Sequence, residues 1–373
     1  MRKRLLVTDF RVPAPDQDSG SNSTMAYLGI LSRAGYEITF IPQRMDADPR
    51  YVAALNALGI RTACAPAFPA LEDAVTALAP GMDIALLYRA GVSARAFDII
   101  RAVSPATRII FHPVDLHFLR MRRQAEISGD PALAQSAQNM RVRELSLLAR
   151  ADARIVVSAA EQEILRMELP DTPVTLIPIM RPIPPEHAAP DFANRRDIAF
   201  IGAFAHRPNA DGITWFVQAV WPLLVARGFP GRLLIAGAFV TPEITALAQE
   251  NIVIRGHVPD LATFFDGIRL SIAPLRYGAG VKGKIVSSLS LKLPVVASAI
   301  AAEGMALRHG EDVLIAGRAE EMAEHILAAY SDPALWQHLA ENGYQTFLHR
   351  FSETAGEGKL LALLAGFQQD GRI

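Results

Sequence analysis

The stretch "GAGVKGKI" (278–285) gathers three glycines and two lysines into its first seven residues, chemistry suited to holding an anion. It reads as G-x-x-x-x-G-K, the start of a nucleoside-triphosphate loop, and also as G-x-G-x-x-G, a dinucleotide fingerprint. Ile285 stands where the first pattern needs a hydroxyl for magnesium, and the following run "LPVVASA" (293–299) ends without an Asp. The second pattern needs an acid at the end of that same run, where Ser298 and Ala299 stand. Anion binding itself remains. Gly278, Gly280 and Gly283 let the backbone approach a ligand, and a helix opening near Lys284 offers free N–H groups and its dipole. Arg276 and Lys282 are then either phosphate cations or solvated charges on a glycine-rich turn.

Three further clusters invite chemistry. "FHPVDLHF" (111–118) closes an apolar run and presents His112, Asp115 and His117. Such a set could bind a polar ligand or serve as internal hydrogen bonding. A metal pair lacks a third ligand and any zinc spacing. "DSGSNST" (18–24) leads into a helix, and its loop Ser19, Gly20, Ser21 and Asn22, with free N–H groups near Gly20 and Ser21, reads as a second anion or hydroxyl site, Asn22 being first of all a helix N-cap. "HRPN" (206–209) precedes a long apolar helix, with Asn209 expected to cap it and His206 to face a cleft. Trp215, Phe216 and Trp221 recur at helical spacing and read as core. The lone Cys64, in apolar surroundings, reads as an inert thiol.

These residues need a scaffold of strand ends. "RLLVTDF", "YEITFIP", "DIALLY", "RIIFHPVD" and "ARIVVSA" are strand candidates, with helices predicted over "STMAYLGILSRAG" and "ALAQSAQNMRVRELSLLARA". The proline-rich stretch 178–195 interrupts this rhythm and reads as a linker. Alternation resumes with "RDIAFIGAF", "GRLLIAGAF", "NIVIRGHV", "RLSIAPLRY" and "LPVVASA", and with helices over "ADGITWFVQAVWPLLVARG" and "GKIVSSLSLK". Strands alternating with helices predict parallel α/β sheets, here two Rossmann-like domains facing a cleft. The expected domains are 1–184, 185–350 and a C-terminal segment 351–373 packing back on the first.

The chain has 373 residues, is 51% hydrophobic and 20% charged, and carries a net charge of −1. That balance predicts no general attraction to nucleic acid. No apolar run reaches the ~18–20 residues of a membrane span, and the first residues do not form a secretory leader. A cytoplasmic location is the expectation.

The second half resembles the glycosyltransferase family 4 enzymes, group 1 glycosyltransferases, in a subgroup tied to bacterial surface polysaccharides. The residues carrying this are "FIGAFAHRPNADGITWF" (200–216), "HVPDL" (257–261), "APLRYGAGVKGK" (273–284), "LPVVASAIAAEGM" (293–305) and "GEDVLIA" (310–316). "VPAPDQDSGS" (12–21) and "VDLHFLRMRRQAEISGD" (114–130) extend it to the first half. The resemblance implies a GT-B fold and retaining, metal-independent sugar transfer, with the nucleotide sugar as co-substrate and no other cofactor. The donor would bind mainly in the second domain, and a glycan or lipid-linked acceptor in the first. A lipid-linked acceptor implies peripheral contact with the inner membrane surface, for which Arg120, Arg122 and Arg123 offer a basic segment. It assigns Arg276, Gly278, Gly280, Lys282, Gly283 and Lys284 to the donor phosphates. His257, Val258, Leu261, Ser287 and Glu303 fall to the nucleoside, and His112, Asp115 and His117 to the transferred sugar. Ala279 and Ser287 replace a Glu pair usual in the family, and Ala203 stands where an Arg is common. A degenerate, non-catalytic partner subunit is the alternative.

Overall fold

The computed structural model describes residues 3–186 and 191–369. It divides into two compact units. The first comprises Met1–Ala14, Gly20–Ile179 and Gly356–Ile373, and the second Pro15–Ser19 and Met180–Ala355. Of the proline-rich stretch, 187–190 lie outside the described residues.

The first unit runs β1 (Arg4–Asp9), α1 (Ser19–Arg33), β2 (Glu37–Pro42), α2 (Pro49–Ala57), β3 (Arg61–Thr62), α3 (Leu71–Leu78), β4 (Ile84–Tyr88) and α4 (Ala90–Val103). It continues through β5 (Arg108–His112), α5 (His117–Ser128), α6 (Pro131–Arg150), β6 (Ala153–Val156), α7 (Ala159–Glu168) and β7 (Thr175–Leu176). All strands are parallel, in the order β3-β2-β1-β4-β5-β6-β7. Leu5, Leu6, Val7 and the β4 residues are fully or nearly fully buried. Continuous apolar strands are what a parallel sheet covered on both faces requires. The chain reverses direction across the sheet between β1 and β4, the place where such sheets bind ligands beyond their carboxyl ends.

The second unit follows with β8 (Asp197–Ile201), α8 (Arg207–Trp215), α9 (Trp221–Ala226), β9 (Leu233–Ala236), α10 (Pro242–Thr245), β10 (Ile252–Gly256), α11 (Leu261–Phe265) and β11 (Ile268–Ala273). Then come α12 (Gly283–Ser290), β12 (Val295–Ser298), α13 (Ala299–Ala302), β13 (Leu314–Ala316), α14 (Ala319–Ser331) and α15 (Pro333–Arg350). Its sheet order, β10-β9-β8-β11-β12-β13, repeats the winding of the first and reverses between β8 and β11. The last helix, α16 (Glu353–Gln369), starts in the second unit and from Gly356 belongs to the first. Leu360, Leu364 and Phe367 form its buried stripe.

Local signals explain several boundaries. Asp48, Asp130 and Asp332 each precede a proline, and each carboxylate accepts an N–H from the first turn of α2, α6 or α15. The acid satisfies orphan donors while the proline occupies a position that needs none. Three expectations are corrected. The long helix expected over 210–228 is α8, a π-turn at Phe216–Val220 and α9, because Pro222 has no N–H to continue the α ladder. α1 opens at Ser19, so Asn22 lies inside its first turns and cannot be the N-cap. Asn209 is the third residue of α8, and His206 occupies the cap position.

Candidate functional site

In the second unit, β8, β9 and β10 are followed or closed by Gly202, Gly237 and Gly256. Gly237 has φ +152°, and its N–H donates to the Gly256 carbonyl at 2.7 Å. A Cβ there would overlap the Gly202 carbonyl. The carboxyl edge of this half-sheet is thus lined with bare backbone.

The loop after β11 lies where the sheet reverses. Gly280 has φ +64°, a conformation natural to glycine. Lys282 is buried, and its ammonium donates to the carbonyls of Ala279 at 3.0 Å and Gly280 at 2.6 Å, bracing the turn. Gly283 opens α12, and a Cβ on it would overlap Ser19 Oγ and come within 2.8 Å of Arg181 Nη2. Lys284 follows. Its Nζ donates to Asn209 Oδ1 at 2.5 Å and sits 5.0 Å from the centre of the Phe200 ring. Asn209 is fixed in turn, its Nδ2 donating to the Ala203 carbonyl at 2.8 Å. Among the described residues Lys284 pairs with no carboxylate. Burial, aided by the Lys282 charge, pushes its ammonium down to about 7. A cation this poorly compensated at a helix start suits a ligand that brings negative charge.

The remaining expected donor residues divide. Arg276 is held by both carboxylate oxygens of Asp211 on α8, so its charge is already countered. Ser287 lies half-buried one turn into α12 and makes no side-chain hydrogen bond among the described residues. Glu303 ends α13, half-buried. Val258 and Leu261 are half-buried and pack against the core cluster around Leu234 and Phe265. His257 directs Nε2 to Asp16 Oδ2 at 3.2 Å. His206 is exposed.

The first unit presents different chemistry at its own reversal point. His112 ends β5, is 3% exposed, and stacks on Tyr88 with ring centres 4.9 Å apart. Tyr27 of α1 lies 5.6 Å from it. The Val114 N–H donates to His112 Nδ1 at 3.0 Å, which leaves the ring proton on Nε2. Burial, reinforced by the Arg89 charge, pushes His112 down to about 3, so it is a neutral donor near pH 7. Beside it, Asp9 at the end of β1 pairs with Arg89 at 2.7 Å. Arg89 (φ 63°) and Val114 (φ 75°) hold left-handed backbone, costly for side chains of this size and clustered at this end of the sheet.

Asp115 and His117 form a separate pair, 3.1 Å apart, with Arg120 3.4 Å from the other Asp115 oxygen. Two buried carboxylates hold this segment. Glu161 accepts from the Leu116 N–H at 2.8 Å, and Glu144 accepts from His117 at 3.1 Å and Phe118 at 2.9 Å. Burial pushes Glu144 up to about 7. The expected cluster is therefore one buried histidine and a separate contact of Asp115 with His117 and Arg120. Ser21 is buried, while Gly20 and Asn22 are half-buried in the first turns of α1.

Sequence reading missed Asp9, Arg89, Tyr27, Tyr88, Glu144, Glu161 and Arg181. Asp9 and Arg89 terminate "LLVTD" and "ALLYR", so attention to every strand end would have found them. Glu144 carries no local mark, since its partners lie 26–27 residues away, while Glu161 is marked only as the acid three residues after the N-cap Ser158 and its Leu116 partner is 45 residues away. The basic segment 116–127 is helix α5, with Phe118, Leu119 and Ala125 buried and Arg122 beside Glu126 at 3.7 Å. Cys64 is half-buried, and burial pushes its thiol up. Among the described residues no helix is long and apolar enough to cross a membrane, and no three His, Cys, Asp or Glu gather as a metal site.

Residues 195–332 match the family model of group 1 glycosyl transferases. A 44.6 kDa protein of the cps region of Klebsiella pneumoniae is 28% identical over 160 residues, covering 40% of this chain and 40% of that protein's length. Among solved structures, Anabaena HepE in complex with UDP-glucose superposes with TM-score 0.72 at 15% identity, covering 97% of this chain and 99% of that one. Sucrose-phosphate synthase from Thermosynechococcus elongatus gives TM-score 0.72 at 17% identity, covering 99% of each. TarM gives TM-score 0.75 at 9% identity, covering 97% and 99%. The match to group 1 glycosyl transferases thus lies in residues 195–332, and the chain as a whole has the GT-B fold.

Proposed function

We propose that this protein transfers a sugar from a nucleoside-diphosphate sugar to a glycan or lipid-linked acceptor in bacterial surface-polysaccharide synthesis. The observation that carries the reading is Lys284, a part-buried ammonium at the start of α12 whose only hydrogen-bond partner among the described residues is a neutral amide. A diphosphate would supply the missing charge. In the reaction the bond from sugar C1 to the phosphate oxygen breaks, and a bond from the acceptor oxygen to C1 forms. The acceptor's proton is released, and charge grows on the leaving diphosphate. Lys284, the α12 N–H groups and the opened glycine loop would stabilise that charge most where it is largest. His112, neutral and with Nε2–H free of partners among the described residues, would donate to a hydroxyl of the sugar. Transfer would proceed with retention, with the nucleotide sugar as co-substrate and without metal or further cofactor. Ser287 would bond the ribose in place of the usual acid. The UDP-glucose bound by HepE and the cps region of the Klebsiella relative support donor class and setting respectively. A lipid-linked acceptor would bring the protein to the inner membrane surface.

A thermal-shift panel tests this with UDP, GDP, dTDP, their nucleosides and their sugars. A diphosphate at a hundred times its Kd stabilises its binder by ~2.7 kcal/mol. One base family should raise Tm, and its sugar nucleotide should be hydrolysed slowly. A chain that responds to none of them would be the degenerate partner subunit instead.

A further inference from the structure

We infer that Arg181 is a second cation of the donor-phosphate site, resting against the α12 start at Gly283; this rests on the proposed diphosphate reading. Arg181 lies in the second unit at the junction of two chain segments. Its N–H donates to the Phe351 carbonyl at 2.8 Å, and its carbonyl accepts from the Glu353 N–H at 2.9 Å. The backbone is therefore pinned, and the side chain has one direction to go. It is 6% exposed, and its Nη2 donates to Ser19 Oγ at 2.8 Å. That same Nη2 lies 2.8 Å from where a Cβ of Gly283 would be, so the guanidinium rests against the first residue of α12. Nη1 makes a 3.3 Å bond to the Met180 carbonyl, and no ion pair joins Arg181 to a carboxylate among the described residues.

A guanidinium carries five N–H donors in a planar fork suited to phosphate oxygens. Here two of its nitrogens meet neutral oxygens, and the Asp18 charge, which acts on it without a hydrogen bond, only partly offsets the cost of its burial. Burying such a charge is costly without a partner. Lys284 is in the same condition one residue beyond Gly283. Two cations without a contacting carboxylate thus belong to the start of one eight-residue helix, whose first N–H groups already favour an anion. Loss of the side chain at Gly283 is what admits the guanidinium. The contrast with Arg276 is direct: that arginine meets a carboxylate in a two-pronged ion pair, as a structural arginine does.

The test compares wild type with Arg181→Gln and Arg181→Lys. The probes are the responding nucleoside diphosphate, its nucleoside and inorganic pyrophosphate, followed by calorimetric titration. Arg181→Gln should weaken the diphosphate and pyrophosphate about tenfold while the nucleoside holds its affinity, the size of one charge-assisted bond. Arg181→Lys should weaken both phosphates severalfold, because a lysine keeps the charge and loses the fork. Equal loss for nucleoside and diphosphate, or unchanged phosphate affinity with only a lower Tm of the unliganded protein, would make Arg181 a structural brace and overturn the inference. Should the Gln variant fail to fold, the Lys variant decides alone: phosphate affinities equal to wild type end the idea. If wild type binds no probe, the diphosphate reading fails first and the inference falls with it.

Discussion

The two units share a winding and differ in what they place at its reversal. In the first, the carboxyl ends of β1, β4 and β5 bury a Tyr27–Tyr88–His112 ring cluster, and the Asp9–Arg89 charges cancel each other. In the second, the ends of β8 and β11 carry glycine backbone and two cations without contacting acids, Lys284 and Arg181. The same topology thus builds a neutral, ring-lined site once and an electropositive one once. Fold fixes where a site lies, and side chains decide what it holds. Under the proposed function this difference divides the labour: hydroxyl-bearing ligands on the first unit, a diphosphate on the second.

The largest effect should come from the neutral site. His112→Ala removes the imidazole N–H donor from the ring cluster, and loss of a positioned donor typically costs ~10²–10⁴-fold in rate. Sugar transfer should fall by about that much, while nucleoside-diphosphate affinity, belonging to the other unit, stays within about twofold. Steady-state kinetics and titration on one preparation give both numbers. Turnover like that of wild type would move the sugar contact to the Asp115–His117 pair.

Lys284→Ala is the matching change in the electropositive site. It removes a charge-assisted bond worth roughly 1.5–3 kcal/mol, so diphosphate affinity should drop on the order of tenfold to a hundredfold. Transfer should drop further, because leaving-group charge peaks in the transition state. The bare nucleoside should bind as before. Parallel weakening of nucleoside and diphosphate would identify "GAGVKGK" as a plain turn.

The comparison also has a pH signature. Burial holds Lys284 near 7, against 10.5 for an unperturbed lysine. Between those values the unfolded chain keeps a proton that the unliganded fold has released, so the unliganded fold gains stability as pH rises through this window. A diphosphate prefers the charged form, so its affinity should fall above pH ~7, approaching tenfold per unit. The nucleotide's own titration is common to wild type and Lys284→Ala, so the ratio of their dissociation constants isolates the lysine. A ratio flat from pH 6 to 9 would contradict this. His112 runs the same way in a lower window: its depressed value keeps it neutral in the fold, and stability is lost as pH falls from about 6.5 toward 3.

How much of this could be read from the chain follows from range. The strand ends, the loop and α12 were legible because their signals are local: apolar runs, glycines and a helix start within a few residues. Lys284 was legible as a cation, but its reach to Asn209 spans 75 residues and no periodicity reports it. Arg181 was hidden in a proline-rich stretch that reads as linker, and its contact with Ser19 crosses 162 residues. Asn22 was misread because a capping residue type was present without the cap geometry, and α1 had already begun at Ser19. His112, Asp115 and His117 looked like one cluster because they lie within six residues. The left-handed turn at Val114 and the buried Glu144 and Glu161 separate them.

The smallest effect concerns Arg276, which shares its loop with Lys284 but not its condition. Asp211 meets its guanidinium with both oxygens, and the two side chains are 37% and 22% exposed. An ion pair this open is worth ~0.2–1 kcal/mol. Asp211→Asn should therefore lower Tm by no more than about 3 °C in a unit of this size. The same change strips the counter-charge from Arg276 while leaving the arginine in place. If the pair is a brace between the loop and α8, diphosphate affinity should move by less than about twofold, since Lys284 and Asn209 are untouched. If Asp211 instead holds back a phosphate ligand, freeing Arg276 should tighten the diphosphate about tenfold and leave the nucleoside alone. The first outcome keeps the second unit's site to cations without acids; the second would return Arg276 to the phosphate set.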